Sequence, residues 1–492
     1  MLSDLAGTGK SAIAHTVAKR CYETGLLASS FFFDRDVPER CGPQRLFSSI
    51  ARDLSSLKED LSERITAILE SERSVASASP SRQFDQLILN PVHLYRFDRP
   101  VVIVIDALDE GYTLELLEIL REKIQKLPGS FRIFLTSRPE DPIVTDLSDA
   151  SHIRWRSIDI HGTANQTDIA LYCHNRLRYI ASRKRLDAGW PGPQLSSEFQ
   201  TKAEGLFVWV SAVSEYLASP KTYNPDAKLR YFLSNPNLSG LPAETKMDKL
   251  YCEILKNCDW NDQEFVDMYQ LVVGSIMALK TPLSASALQA LHHSNPTFQA
   301  DEVLRSLSSL FIGISNGRQP IRILHISFRD FVTWRARSTP GLGQFYVDEK
   351  FHSQRLALSC LSILNHDLNH DHLGIGYLTS ETEGIPEIPD SHISETLHYA
   401  CRFWPSHVIE VENPMPEGFL DALHDFLSIN LIRWMEVVNA KGQFQGLADV
   451  RRWLQVSVLT LKRSSCELVF VLLIRDQLPI SLLFLLWPPV II

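Results

Sequence analysis

The chain lacks most of the features that name a protein class at once. Its 492 residues include only eight cysteines. They are scattered (Cys21, Cys41, Cys173, Cys252, Cys258, Cys360, Cys401 and Cys466) and form no C-x-x-C pair. That spacing argues against a zinc ribbon or a redox dithiol and favours free, mostly buried thiols in a reducing compartment. An excess of positive charge is also missing. Lys and Arg number 49 against 58 Asp and Glu, a formal net charge of −9. Without a basic footprint, nucleic acid is not an expected partner. No repeat period is visible. No signal peptide stands before the first motif, so the expected location is cytoplasmic. Long apolar runs are absent until the tail, where Leu468 to Ile474 and Leu478 to Trp487 are split by Arg475-Asp476-Gln477. A spanning helix needs ~20 mostly apolar residues, and Pro479, Pro488 and Pro489 oppose one, so a membrane role is not expected either. What remains is ordinary for a globular protein: 45% hydrophobic and 22% charged residues, with room for two to four domains.

Against that plain background one stretch stands out, Ala6-Gly7-Thr8-Gly9-Lys10-Ser11. It reads as a phosphate-binding loop opening a helix. Gly7 and Gly9 let the backbone curl so that successive N–H groups face one anion. Lys10 supplies a cation for the β- and γ-phosphates, and the Ser11 hydroxyl a ligand for Mg²⁺. Ala12, Ile13, Ala14, Val17, Ala18 and Cys21 follow at helical spacing, which sets the anion at a helix N-terminus. The motif's first glycine is here Asp4, which brings a carboxylate toward the phosphates. A Gly-rich helix start of no function is the bland alternative.

Two strand-like runs support the loop. Val101 to Ile105 is apolar and mostly β-branched, as in a strand buried on both faces of a parallel sheet, and it ends in Asp106, Asp109 and Glu110. In open α/β sheets, ligands bind at the carboxyl ends of strands. Asp106 is suited to the Mg²⁺ shell, and Asp109 or Glu110 to orienting an attacking water. Phe131 to Leu135 leads to Thr136, Ser137 and Arg138, and Arg138 is suited to sensing a γ-phosphate.

Taken in order, these three runs resemble the NACHT family of signal-transduction ATPases, the STAND class of P-loop NTPases, and especially its fungal NLR-like members. Phe31 to Asp36 and Leu46 to Arg52 look like that family's second strand and following helix. The resemblance runs from about residue 2 to about residue 455. It implies an α/β P-loop NTPase, a parallel sheet with flanking helices, followed by a mostly α-helical region that includes a winged-helix-like module. It implies ATP/ADP and Mg²⁺ as cofactors, Gly7, Thr8, Gly9, Lys10, Ser11 and Ala12 at the nucleotide, Ser11 and Asp106 at the metal, and Asp109, Glu110 and Arg138 in slow hydrolysis. It also implies a nucleotide-controlled switch that opens and self-associates through the NACHT domain, with protein partners.

Only Met1, Leu2 and Ser3 precede Asp4, so the strand feeding the loop is expected to be largely missing and the chain to be truncated at its start. The expected division is 1–150 for the nucleotide domain, 151–240 for a helical extension, 241–340 for the winged-helix-like module, 341–464 for a helical domain and 465–492 for an aberrant hydrophobic tail. Ile158 to Ile160 reads as a further strand. Phe199 to Leu217 reads as a helical pair that would cover the adenine, with Phe207 or Trp209 walling the base or simply filling a core. His325 stands where relatives keep a histidine that contacts the diphosphate, and a neutral core histidine is its rival reading. His366, His370 and His372 with Asp367 and Asp371 suggest a metal site by spacing and a polar inter-helical turn by company. A non-hydrolysing nucleotide-binding scaffold, or a decayed member acting through protein contacts, is the second functional reading.

Overall fold

The computed structural model describes residues 1–4, 6–35, 37–159, 162–220, 222–234, 240–293, 295, 297–314, 317–368, 388–389, 392–441 and 447–460, with side chains in the last stretch to 454. His370, His372, Asp371 and the hydrophobic tail lie outside the described residues. The chain forms two compact units. The first comprises residues 1–255 with 308–310 and 324–328. The second comprises 256–307, 311–323 and the chain from 329 onward. The stretch 241–340 is thereby shared between them.

In the first unit, four strands form one parallel sheet: β1 (Leu2–Ser3), β2 (Leu27–Phe32), β3 (Val101–Asp106) and β4 (Phe131–Ser137). Their spatial order is β1-β4-β3-β2. The apolar run of β3 explains its central position, because side chains alternate across the sheet. Val101, Ile103 and Ile105 enter a core with Leu46, Phe47, Ile50, Leu54 and Phe84 on one side. On the other side, Val104 packs against Ala14 and Ala18 of helix α1 (Lys10–Glu23). Small residues there let the helix lie close, which holds its N-terminus against the carboxyl ends of the strands.

The feeding strand is short but in register. Leu2 and Ser3 pair with Thr136 and Ser137, and Leu2 also makes an isolated parallel bridge to Arg156. The Ser3 N–H donates to the Arg156 carbonyl at 2.8 Å, and the Arg156 N–H to the Met1 carbonyl at 2.9 Å. Of the strand expected at Ile158–Ile160, Ile158 and Asp159 are described, and Ile160 lies outside the described residues. Ile158 and Asp159 have no ladder, because the Ile158 N–H is taken by the Asp4 carboxylate at 2.8 Å. The remainder of this unit is helical, including Thr163–Lys184, Pro193–Ala203, Phe207–Ala218 and Ala243–Leu255.

The second unit is mostly helical. Its helix Gln263–Ala278 is buried from Leu271 to Ala278, wider than one face, so it is a core helix. A side chain at Gly274 would overlap the His352 ring, so this helix packs closely on Glu349–Asp367. Two short helices and a two-residue antiparallel ladder (β5, Phe311–Ile312, with β6, Arg322–Ile323) follow it in sequence. Further on, Glu395–Val408 packs on Glu349–Asp367, and Ser353, His407 and Tyr399 hydrogen-bond in a buried chain. Among the described residues no helix is long and apolar enough to cross a membrane.

Candidate functional site

The site is built where α1 begins. Gly7 has φ +82° and Gly9 φ +94°, the left-handed region that favours glycine, and Gly9 is the cap from which the helix starts at Lys10. A Cβ at Gly7 would overlap Val208 Cγ1 and lie 2.8 Å from Val208 Cβ. The loop is therefore pressed by the start of the helix Phe207–Ala218, and only glycine fits. The Phe207 ring lies beside Gly9 and packs at 5.6 Å on Tyr172, whereas Trp209 is fully buried against Phe199. Of the two aromatics expected at a base, Phe207 borders the loop and Trp209 is core.

Lys10 donates from Nζ to the Asp4 carbonyl at 2.7 Å. Burial holds its pKa down at about 8, while Asp109, Asp4 and Asp106 draw it back up and Arg138 opposes them. Thr8 is buried, and Ser11 and Ala12 are exposed on the first turn of α1. The Asp4 carboxylate, tied to the Ile158 N–H, is not committed to the loop alone.

The acids come from the end of β3. Asp106 is 4% exposed and accepts a short hydrogen bond from the Thr136 hydroxyl of β4. Thr136 in turn accepts from the Ala107 N–H at 3.0 Å. Ala107 has φ 55°, a strained conformation for a side-chain-bearing residue, and the Thr136 hydroxyl pins that turn. Asp109 accepts from the Arg138 N–H at 2.9 Å and the Ser137 hydroxyl at 3.4 Å, and its other oxygen pairs with Arg138 Nε at 3.3 Å. Glu110 differs. Its contact is the Arg35 N–H at 3.4 Å, and burial, then Asp109, pushes its pKa up to about 7. Lys10, Asp106, Asp109, Glu110 and Arg138 thus gather at the carboxyl ends of β3 and β4. The Thr136 and Arg35 contacts had no sequence signal beyond a hydroxyl pair and an arginine in sequence.

His325 lies in the first unit. Its Nδ1 accepts from the Ser327 N–H at 3.1 Å and meets the Ser327 hydroxyl at 2.8 Å, which reaches the Tyr251 hydroxyl at 2.7 Å. An accepting Nδ1 puts the proton of the neutral ring on Nε2. His366 is exposed and bonds its neighbour Asp367 at 2.7 Å. Among the described residues no three His, Cys, Asp or Glu side chains are grouped to hold a metal ion.

A parallel sheet with a glycine-rich loop and a lysine at one strand end, facing acids from the next strands, is the arrangement found here. Comparison with known proteins narrows it. Residues 1–138 match the family model described as Nephrocystin 3, N-terminal. The chain is 22% identical over 365 residues to the vegetative incompatibility protein HET-E-1 of Podospora anserina, a stretch covering 69% of this chain and 25% of that protein. The chain therefore spans about a quarter of that relative's length. Together the two similarities support a NACHT-like protein of the fungal NLR type.

Proposed function

We infer that the chain is a nucleotide-controlled switch: an α/β P-loop NTPase that binds ATP or ADP with Mg²⁺ and couples nucleotide state to opening and self-association. The observation that carries this reading is the half-buried Lys10 ammonium at the start of α1, surrounded by acids and an arginine from the ends of two neighbouring strands. The residues fit the absent group. Gly7 to Ala12 offer curled backbone and a helix N-terminus for phosphates, and Ser11 and Asp106 are oxygen donors of the hard type Mg²⁺ takes. The metal, when bound, would neutralise charge on the phosphates.

The protein's own groups divide the remaining work. Glu110, with a pKa near neutrality, is the better general base for water. Asp109 already holds three donors, so its task is to position Arg138, whose guanidinium senses the terminal phosphate. Phe207 and Tyr172 border the base, and His325 offers Nε2–H to a diphosphate. The division at 150, 240, 340 and 464, the winged-helix-like module at 241–340, cytoplasmic location, protein partners and a role in innate-immunity-like or self/non-self signalling belong to the same reading. Nucleic acid and membrane are not part of it. The Asp4 carbonyl bond to Lys10 favours a second reading, a scaffold that binds nucleotide without hydrolysing it.

A thermal melt with Mg-ATP or ADP tests the binding. A ligand at 100 times its dissociation constant should add about 2.7 kcal/mol, and Lys10→Ala should remove that gain. Equal nucleotide shifts in the wild type and in Lys10→Ala would sink the phosphate-loop assignment. Phosphate release then separates the readings: Glu110→Gln should slow it about 100-fold with affinity kept, and a wild type that releases none is the scaffold.

A further inference from the structure

At the opposite end of the sheet from Lys10 there is a second cleft, of about 470 Å³. It is lined by the chain running into β3 and by the turn running into β4, so it opens at the amino ends of both strands. Asp106 and Arg138 leave the other ends, and six residues of strand place them roughly 17 Å away at ~3.3 Å per residue. The two walls are clamped together, since the Val101 N–H donates to the Ser130 carbonyl at 2.9 Å.

One wall is aromatic and anchored. Phe97 stands edge-on to Tyr95 at 4.8 Å and to Phe131, the first residue of β4, at 5.2 Å. The polar groups are His93, Arg96, the Tyr95 hydroxyl and the Ser130 hydroxyl. None of these four has a protein partner among the described residues. Among the described residues no carboxylate lines the cleft, although the chain carries nine more acids than bases. Leu94, on the same wall, is 69% exposed. A planar guanidinium and two hydroxyls match a carboxylate, and the aromatic wall with Leu94 matches an apolar side chain beside it. The cleft is open, so a small molecule would stay largely in water, whereas good small-ligand sites bury most of their ligand. A peptide brings enough length to cover Leu94 and still pair with Arg96.

We propose that this cleft docks an acidic peptide segment of a partner protein, with Arg96 pairing a carboxylate and Tyr95 and Phe97 flanking an adjacent apolar residue. The site is independent of the nucleotide reading. The test uses the full chain and a fluorescein-labelled Glu-Glu-Leu-Trp-Glu-Glu peptide, followed by anisotropy, with a Lys-Lys-Leu-Trp-Lys-Lys peptide as control. Binding should saturate, weaken as salt rises, and fall at least tenfold in Arg96→Glu and in Tyr95→Ala. Arg96 is exposed, so Arg96→Glu should keep the wild-type melting temperature, and circular dichroism verifies that each variant is folded. No saturable binding by folded wild type, equal binding of the basic peptide, or indifference to both substitutions would overturn the proposal. So would a sedimentation shift from dimer to monomer in Arg96→Glu with peptide affinity unchanged, which would make a second copy of the chain the occupant.

Discussion

Two polar clusters, one in each unit, use different side chains toward different ends. Around Lys10, acidic and basic groups meet at strand ends: Asp109 and Arg138 pair, Asp106 takes the Thr136 hydroxyl, and the lysine sits among them. Between the helices Glu349–Asp367 and Glu395–Val408, neutral groups satisfy one another. The Ser353 hydroxyl meets His407 Nδ1 and the Tyr399 hydroxyl meets Nε2, both at 2.7 Å, and the Lys280 N–H donates to Tyr399 at 3.1 Å. Burial drives the His407 pKa well below its usual value, with Lys280 adding to the effect, so the ring stays neutral. Charged groups are costly to bury unless something compensates them, and a closed neutral network is not. The first cluster is thus arranged for a ligand to complete, and the second for holding two helices in one register.

The largest expected effect breaks the second cluster. His407→Ala leaves the buried Ser353 hydroxyl without its partner, the Tyr399 hydroxyl with the Lys280 N–H alone, and a void beside them. It should lower unfolding free energy by about 3–5 kcal/mol in urea titrations, with nucleotide affinity unchanged in any folded fraction. A loss below 1 kcal/mol would mean that the network contributes nothing to the fold.

A smaller loss should follow from Thr136→Val, which keeps the shape of the β4 side chain and removes its hydroxyl. Asp106 and the Ala107 N–H would both lose a partner, at a cost of about 2–3 kcal/mol. Unlike His407→Ala, it should also weaken Mg-nucleotide binding, because the Ala107 turn carries Asp109 and Glu110. Isothermal titration of the variant checks this, and unchanged affinity would show that the clamp serves stability alone.

A further effect is in pH, where Glu110 and the buried histidines of the second unit should respond with opposite sign. Burial lowers His352 to about 4 and His292 to about 3, with Arg355 beside both. As pH falls below about 6.5 the unfolded chain takes up protons that the folded histidines refuse. Each ring then costs about 1.4 kcal/mol of stability per pH unit, down to its folded pKa. Glu110 does the reverse. Its folded pKa near 7 lies above the usual value, so it contributes stability below about pH 4.5 that is lost as pH rises to 7. Glu110→Gln should therefore steepen the fall in melting temperature between pH 7 and 5. A curve parallel to wild type would show that Glu110 titrates normally.

How much of this was legible in advance depended on whether the signal was local. The loop Gly7 to Ser11, the both-faces-buried run before Asp106 and the helical pair around Phe207 are local patterns, and the residues stand where those patterns point. The strand expected at Ile158–Ile160 has no ladder at its described residues, Ile158 and Asp159, since an apolar alternation cannot reveal that Asp4 captures the Ile158 N–H. The separation of Asp109 from Glu110 also lay beyond sequence, since both are acids in one short motif. Only the packing of β4 gives Asp109 three donors and leaves Glu110 one weak contact. The same holds for Phe207 and Trp209, two aromatics on one helix whose fates were set by which side meets Gly9.

The sequence by itself determined the parallel sheet and the kinds of group gathered at its carboxyl edge, because strand alternation, glycine's access to positive φ and helix periodicity are written in short stretches of chain. Tertiary structure alone decided which acid is clamped and which is poised, why Gly7 admits no side chain beside Val208, and that a second cleft opens at the far end of the same strands. Each of those depends on residues tens to hundreds of positions apart, brought within a few ångströms by packing that no local pattern encodes.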